Sequence, residues 1–485
     1  MQGRKNMTEN YPLMVPGVKS NAQSVEVVSP FNRRKIGTAA RADMQTVMHA
    51  LDNAQGLYKN KEKWIPAWKR IDILERVVKI MEKKFDYLAR ESAREGGKPL
   101  VDSHHEVSRA IDGVKLCIET LRTQAGTEIP MGISRSSTNR MAFTSHEPIG
   151  VVVAVSAFNH PLNLIVHQVG PAIAAGCPVI VKPSEDTPLS CLRFVKILRS
   201  AGLPDEWCQP VVTAGRDVST ALVTDKRVDF FSFIGSAPVG WYLRSKLSSG
   251  TRCALEHGGV APVIVTKDAD LSMAIPLLTK GGFYHAGQVC VSVQRIFFHY
   301  SIADKLAKGL SKEGKSMKVG DPTKASTDIG PLIRPREVDR VDEWVKDAVN
   351  GGAKVLTGGY RLSKTCYAPT VLFNPPSKAK VSSQEIFGPV ICIYPYRSID
   401  QAIKRSNSLE FAFQAAVFTG NIDTATYCYK QLDASAVMIN DHTAFRVDWM
   451  PFAGLKQSGQ GIGGIHHTMQ EMQIEKMMVI NSKSL

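Results

Sequence analysis

Cys290 is the residue whose setting invites chemistry. In FYHAGQVCVSVQR it follows a Gly-Gln pair and lies among small or apolar neighbours, whereas most free cysteines simply fill cores. LEHGG, 34 residues upstream, supplies a carboxylate, Glu256, followed by glycines that allow a sharp turn. A thiol needs a base to become a thiolate, and a carboxylate whose pKa is raised by an apolar site can take that proton. Other segments suit an anionic ligand. FIGSAPVG places Gly235 and Gly240 where a strand feeds a helix, so that exposed N–H groups can face a phosphate. Its spacing is not G-x-G-x-x-G, and an ordinary tight turn fits it equally well. VIVKPSE ends an apolar run with Lys182 and Glu185; a carboxylate there can accept both hydroxyls of a ribose, while a solvated loop charge is the commoner use of either residue.

These groups need a scaffold, and periodicity supplies its outline. Apolar residues recur at helical spacing over 44–54, 68–89 and 101–121, the last through Val107, Ile111, Val114, Ile118 and Leu121. At IGVVVAVSAF the texture becomes a continuous β-rich run, as in a strand buried on both faces of a parallel sheet. Thereafter strands (CPVIVKP, CQPVV, VDFFSFIG) alternate with helical segments (PLNLIVHQVGPAIAAG, LSCLRFVKILRSAG, SAPVGWYLRSKL), which indicates an α/β doubly wound parallel sheet. A second series opens with CALEHGGVAPVIV.

The bulk properties agree with a folded enzyme. At ~150 residues per domain, 485 residues suggest about three units, and 44% hydrophobic with 22% charged residues excludes disorder and low-complexity scaffolds. An odd count of nine cysteines without C-x-x-C spacing argues against a disulfide framework or a zinc ribbon and for a reducing cytoplasm. MQGRKNMTENYPLMVPGVKS has no apolar run behind its basic residues, so no secretory signal is expected. The apolar stretches 149–158 and 169–181 are too short to span a bilayer, and no membrane partner is expected. The net charge of +15 favours acidic partners, but with no arginine-rich run or aromatic-interleaved basic stripe, nucleic acid is not expected among them.

FNHPLN, VKPSE, FIGSAPVG, LEHGG, GQVC, EIFGPV and PFAGLKQSG together resemble, in order and approximate spacing, the aldehyde dehydrogenase superfamily from about Val25 to about Val479. The resemblance implies a discontinuous Rossmann-like cofactor domain (1–125 and 147–257), an α/β catalytic domain (258–455), and a small β oligomerisation arm with a C-terminal segment (126–146 and 456–485). It implies a homodimer or homotetramer and no metal. Residue by residue, Cys290 matches the nucleophile, Glu256 the general base, and Asn159 the side chain that completes an oxyanion hole with the Cys290 N–H. Lys182, Ser184 and Glu185 match the adenosine-ribose site, with Gly215 beside it, and Gly235 and Ser236 match the pyrophosphate turn. Glu385 and Phe387 match the residues that hold the nicotinamide ribose and ring. The Glu256 match favours release of a free acid over acyl transfer to coenzyme A. Glu185 against the ribose 2′-hydroxyl favours NAD, with NADP left open by Lys182 and Ser184.

Departures from the family pattern include Ala157 and Phe158 for Pro-Trp, His160 for Phe, His257 for Leu and Ala453 for Gly. With Arg109 and Arg446, His160 offers candidate groups for the far end of a substrate, which would suit a phosphonate, phosphate, sulfonate or carboxylate. FNHPLN with Arg109 is similar to the phosphonoacetaldehyde-type branch, although Val289 stands where that branch tends to carry a basic residue. The rival expectations are an NADP-linked or coenzyme A-acylating semialdehyde dehydrogenase and a non-catalytic nucleic-acid-binding protein on the same fold.

Overall fold

A computed structural model describes residues 8–18 and 23–485. The expectation about an export signal falls in part on residues 1–7, 19 and 20, outside the described residues. Two parallel-stranded sheets carry the molecule. The first runs, edge to edge, through Gly459–Gln460, Arg252–Glu256, Phe230–Ile234, Val152–Val155, Val179–Lys182 and Cys208–Pro210, all parallel except the first. Side chains of successive residues point to opposite faces of a strand. Accordingly Val152, Ala154, Val179 and Val181 join the core beneath the helices Ala67–Lys83, Leu100–Thr123, Asn163–Ala175 and Pro188–Ser200. Val151, Val153, Ile180 and Phe231 join a separate core under Met44–Lys59 and Arg216–Thr224. Burial on both faces is why these strands read as continuous apolar runs.

The second sheet orders Lys354–Thr357, Thr370–Phe373, Val390–Tyr396, Arg295–His299, Pro262–Val265, Gln414–Phe418 and Ala436–Ile439, and only the first of these is antiparallel. Glu128–Ile129, Arg140–Pro148 and Gln473–Asn481 form a separate antiparallel sheet.

The structure departs from the sequence reading in particular places. The helix expected over 68–89 is interrupted at Lys84 (φ −104°, ψ 14°), where a new helix, Phe85–Gly96, begins. CALEHGGVAPVIV supplies a strand to each large sheet: Glu256 ends one, Pro262 starts the other, and the chain crosses between them at Gly258 and Gly259. Within the C-terminal stretch 456–485, Gly459–Gln460 joins the first sheet and the helix Ile465–Glu471 follows it. Only Gln473–Asn481 joins the arm strands. Among the described residues no helix is long and apolar enough to cross a membrane.

Candidate active site

The helix Leu271–Phe283 ends in a tight turn over Tyr284–Gly287, in which His285, Ala286 and Gly287 all adopt left-handed conformations (φ 49°, 55° and 70°). Glycine is required at 287 because a Cβ there would run into the Gly388 carbonyl. The turn delivers Gln288 and Cys290. Gln288 is buried, and its side chain is fully engaged: Nε2 donates to the carbonyls of His285 and Pro331 (both 3.2 Å) and Oε1 accepts from Ile333 N–H (3.0 Å). Its own carbonyl accepts from Asn159 Nδ2 (3.0 Å), so one amide hydrogen of Asn159 is fixed and the other is free. The Cys290 carbonyl accepts from Gly259 N–H (3.1 Å), which ties the loop to the crossing between the sheets.

Asn159 is held from the other side. Glu106 accepts from the N–H groups of Leu162 and Asn163 (2.9 and 3.1 Å) and pairs with the fully buried Lys98 (2.6 Å), binding the start of the Asn163–Ala175 helix to Leu100–Thr123. Glu256 stands at the carboxyl end of its strand, opposite Ile234 on one side and Gly459 on the other. Burial pushes its carboxyl above the usual range, opposed by the positive charges of Arg446 and Arg109. Burial also pushes the Cys290 thiol up strongly; the Glu256 charge adds to this and Arg446 opposes it. A thiol kept protonated by burial thus lies within electrostatic reach of a carboxyl that can accept its proton, and the Asn159 amide is tied to the carbonyl two residues before it.

The residues expected at a cofactor lie along the carboxyl ends of the first sheet, the edge where ligands of such sheets bind. Lys182 ends its strand; burial lowers its pKa and Glu185 opposes that shift. Ser184 Oγ accepts from Asp186 N–H (3.3 Å), and Asp186 pairs with Arg334 (2.6 Å). Gly215 precedes the helix Arg216–Thr224 in extended backbone that any residue adopts (φ −175°), so backbone geometry does not demand glycine there. Gly235 N–H donates to the Glu256 carbonyl (3.0 Å), and exposed Ser236 caps Ala237–Arg244. Beneath that helix lies His257, whose ring leaves no room for a side chain at Gly240 and whose Nδ1 sits 2.9 Å from the Gln457 carbonyl. On the second sheet's side, burial raises the Glu385 carboxyl to about 8, and its Oε1 is buried without a hydrogen-bond partner. Phe387, in a left-handed conformation (φ 47°), meets Phe158 edge to face at 5.7 Å. A nicotinamide dinucleotide fits these groups. Gly235 and Ser236 offer a helix start for the pyrophosphate, Lys182 and Glu185 a ribose site, and Glu385 an acceptor lacking a donor.

Of the groups expected at the substrate's far end, Arg109 is already engaged, donating to both oxygens of Asp448 (3.1 and 2.6 Å). His167 Nε2 contacts the same carboxylate (2.7 Å), and the pair holds it far below the ordinary range. His160 is buried, 3.4 Å from the Tyr284 hydroxyl and edge-on to His285; burial and the neighbouring cations hold it neutral. It therefore offers a hydrogen-bonding ring rather than the charge that an ionisable residue suggested. Arg446 places its guanidinium carbon 3.6 Å from the centre of the Phe452 ring, with Nη2 3.4 Å from His167 Nδ1. Asp448, His167, Gln288 and His285 escaped the sequence reading. Asp448 had the nearest thing to a signal, an acid two residues after Arg446.

A model of the aldehyde dehydrogenase family matches residues 18–478. The chain belongs to that family. As an aldehyde dehydrogenase it is 36% identical over 475 residues to the 3-sulfolactaldehyde dehydrogenase of Priestia aryabhattai, covering 98% of each chain. Its fold superposes on aldehyde dehydrogenase 21 of Physcomitrella patens, solved with the reaction product succinate, with TM-score 0.94 and 32% identity, covering 99% of this chain and 100% of that one. It superposes on glyceraldehyde-3-phosphate dehydrogenase of Methanocaldococcus jannaschii, solved with NADP, with TM-score 0.91 and 34% identity, covering 96% and 100%. This aldehyde dehydrogenase is thus an NAD(P)-dependent oxidoreductase. The narrower similarity to the phosphonoacetaldehyde branch is replaced by likeness to enzymes of sulfolactaldehyde and related aldehydes.

Proposed function

We propose that this aldehyde dehydrogenase oxidises a short anionic aldehyde to its carboxylic acid, with Cys290 as nucleophile and NAD as the preferred acceptor. Arg446 carries the reading. It is a cation with no carboxylate in ion-pair reach among the described residues, its Nε is buried without a partner, and its charge bears on both Glu256 and Cys290. An anionic end group would satisfy it while the carbonyl faces Cys290.

The residues support the following sequence. Glu256 takes the thiol proton as sulfur bonds to the aldehyde carbon, giving a thiohemiacetal whose oxyanion is held by the free Asn159 amide hydrogen and the Cys290 N–H. A bound nicotinamide supplies the two-electron acceptor for the step that leaves a thioester on Cys290. Glu256 releases the first proton to solvent, then draws one from water as the water attacks the thioester and passes it to the leaving thiolate, so the acid departs with the thiol restored. Glu185 supports NAD, since a carboxylate at the ribose repels a 2′-phosphate; Lys182 beside it keeps NADP as the second reading. All nine cysteines are free, in keeping with a reducing cytoplasm.

A steady-state comparison of NAD, NADP and added coenzyme A tests the cofactor and the acid product together. We expect higher kcat/KM with NAD and no stimulation by coenzyme A. For the substrate, Arg446→Gln raises KM for short aldehydes bearing a sulfonate or carboxylate more than for neutral aldehydes of the same length. Equal effects on both classes would overturn the anionic assignment. A gel shift with nucleic acid at physiological salt would favour the non-catalytic rival.

A further inference from the structure

We propose that the substrate site is built for a single negative charge, so that the preferred aldehyde ends in a monoanion such as a sulfonate or carboxylate, and that Asp448 sets this preference by cancelling the charge of Arg109. The inference rests on the anionic-aldehyde reading above and narrows it.

The argument is a count of charges around the Asn159 side of the site. Four cations stand there: Lys98, Arg109, Lys280 and Arg446. Lys98 is paired with Glu106 (2.6 Å), with both side chains fully buried. Lys280 is paired with Asp102 (2.7 Å) and lies over the Tyr284 ring. Arg109 is paired through two hydrogen bonds with Asp448, itself 2% exposed. Each of these positive charges is met by one negative charge. Arg446 alone of the four has no such partner among the described residues, and stacking on Phe452 leaves its guanidinium edge for a ligand.

The uncharged neighbours do not alter the sum. His160, His167 and His285 are buried and kept neutral by burial and adjacent cations, and the Tyr284 hydroxyl is held protonated by burial. Glu256 and the Cys290 thiol are the remaining titratable groups whose charge bears on Arg446; burial keeps the thiol protonated, and Glu256, when ionised, repels any second negative charge brought in by the substrate. A monoanion is matched one to one by Arg446, leaving the Glu256 carboxylate as the one uncompensated charge. A dianion adds a second such charge in a largely buried site, where repulsion is screened weakly. Asp448 has a second hold on the arrangement: with its oxygen 2.7 Å from His167 Nε2, it fixes the ring whose Nδ1 faces Arg446. Family membership does not make this choice, because the relatives act on both a sulfonated and a phosphorylated aldehyde.

The test compares kcat/KM, with NAD and above the second ionisation of the phosphonate, for sulfoacetaldehyde, phosphonoacetaldehyde, phosphonoacetaldehyde monomethyl ester and neutral propionaldehyde. We expect the sulfonate and the monoanionic ester to exceed the dianionic phosphonate by at least about tenfold, mainly through KM. Asp448→Asn keeps the shape and an acceptor for His167 but frees Arg109, and it raises the phosphonate-to-sulfonate ratio by about tenfold. Adding Arg109→Met to that variant returns the ratio towards its original value. A wild-type enzyme that uses the dianion as well as the sulfonate overturns the inference, as does a folded Asp448→Asn protein with an unmoved ratio. If that variant does not fold, the wild-type series decides alone. Preference for propionaldehyde over every anion instead overturns the anionic-aldehyde reading itself.

Discussion

Two buried carboxyls that share the same physics do different work. Glu256 and Glu385 are both raised by burial, and both charges bear on the thiol, that of Glu256 the more strongly. In the proposed mechanism Glu256 acts as its carboxylate, so the rate of thioester hydrolysis rises with pH through a pKa above the usual carboxyl range. Glu256→Gln removes that limb and lowers turnover roughly 10²–10⁴-fold, and because Glu256 also takes the thiol proton it slows the single-turnover burst of reduced cofactor; a burst of unchanged rate would count against the thiol role and unchanged turnover against both. Glu385 predicts a stability effect instead. Its folded pKa of about 8 exceeds the ordinary 4.5 of an exposed glutamate, so the folded state binds its proton more tightly than the unfolded chain. That contribution is fully present below 4.5 and is lost as pH rises through about 8. Thermal melts across this window should fall less steeply for Glu385→Gln than for the parent protein.

The elements that position the site were legible in the sequence to different degrees, for physical reasons. The apolar runs around residues 152–155 and 179–182 announce buried strands because both of their faces are covered. The break at Lys84 was invisible because helical periodicity continues across it, and tertiary packing turns the chain there. Cys290, Glu256 and Asn159 stand out through their motifs. The contacts that fix them do not, because Gln288, Pro331 and Ile333 meet only in three dimensions. The Gln288 clamp makes a prediction at this scale. Gln288→Ala loosens both the carbonyl that orients Asn159 and the approach to Cys290, so kcat should fall by about 10²-fold, of the order of losing one oxyanion donor, with little change in cofactor Kd. A loss confined to KM would show that the turn is set by its left-handed residues alone.

At the scale of the whole molecule, the arm presents an open, apolar edge. Gln473–Asn481 is the outer strand of its sheet, pairing with Arg140–Pro148 on one side only, and Ala436–Ile439 is likewise an outer strand of the second large sheet. On the arm Met477 and Val479 face one way and Met478 and Ile480 the other, and all are between 40% and 54% exposed. Met141 and Phe143 on the adjoining strand are exposed too. An unpaired edge bearing apolar side chains on both faces is an invitation to association that monomeric proteins avoid. A second copy meeting this edge would bury both faces and extend the hydrogen-bonded ladder, so we expect a homodimer, or a tetramer built from dimers. The +15 charge does not oppose this, because the arm strands carry Glu475 and Glu147 beside Lys476. Replacing Met478 and Ile480 with Lys places charge on one exposed face without touching the catalytic groups. Sedimentation should then show a shift to monomer with secondary structure preserved. A native protein that sediments as a monomer at micromolar concentration would leave the apolar arm without this explanation.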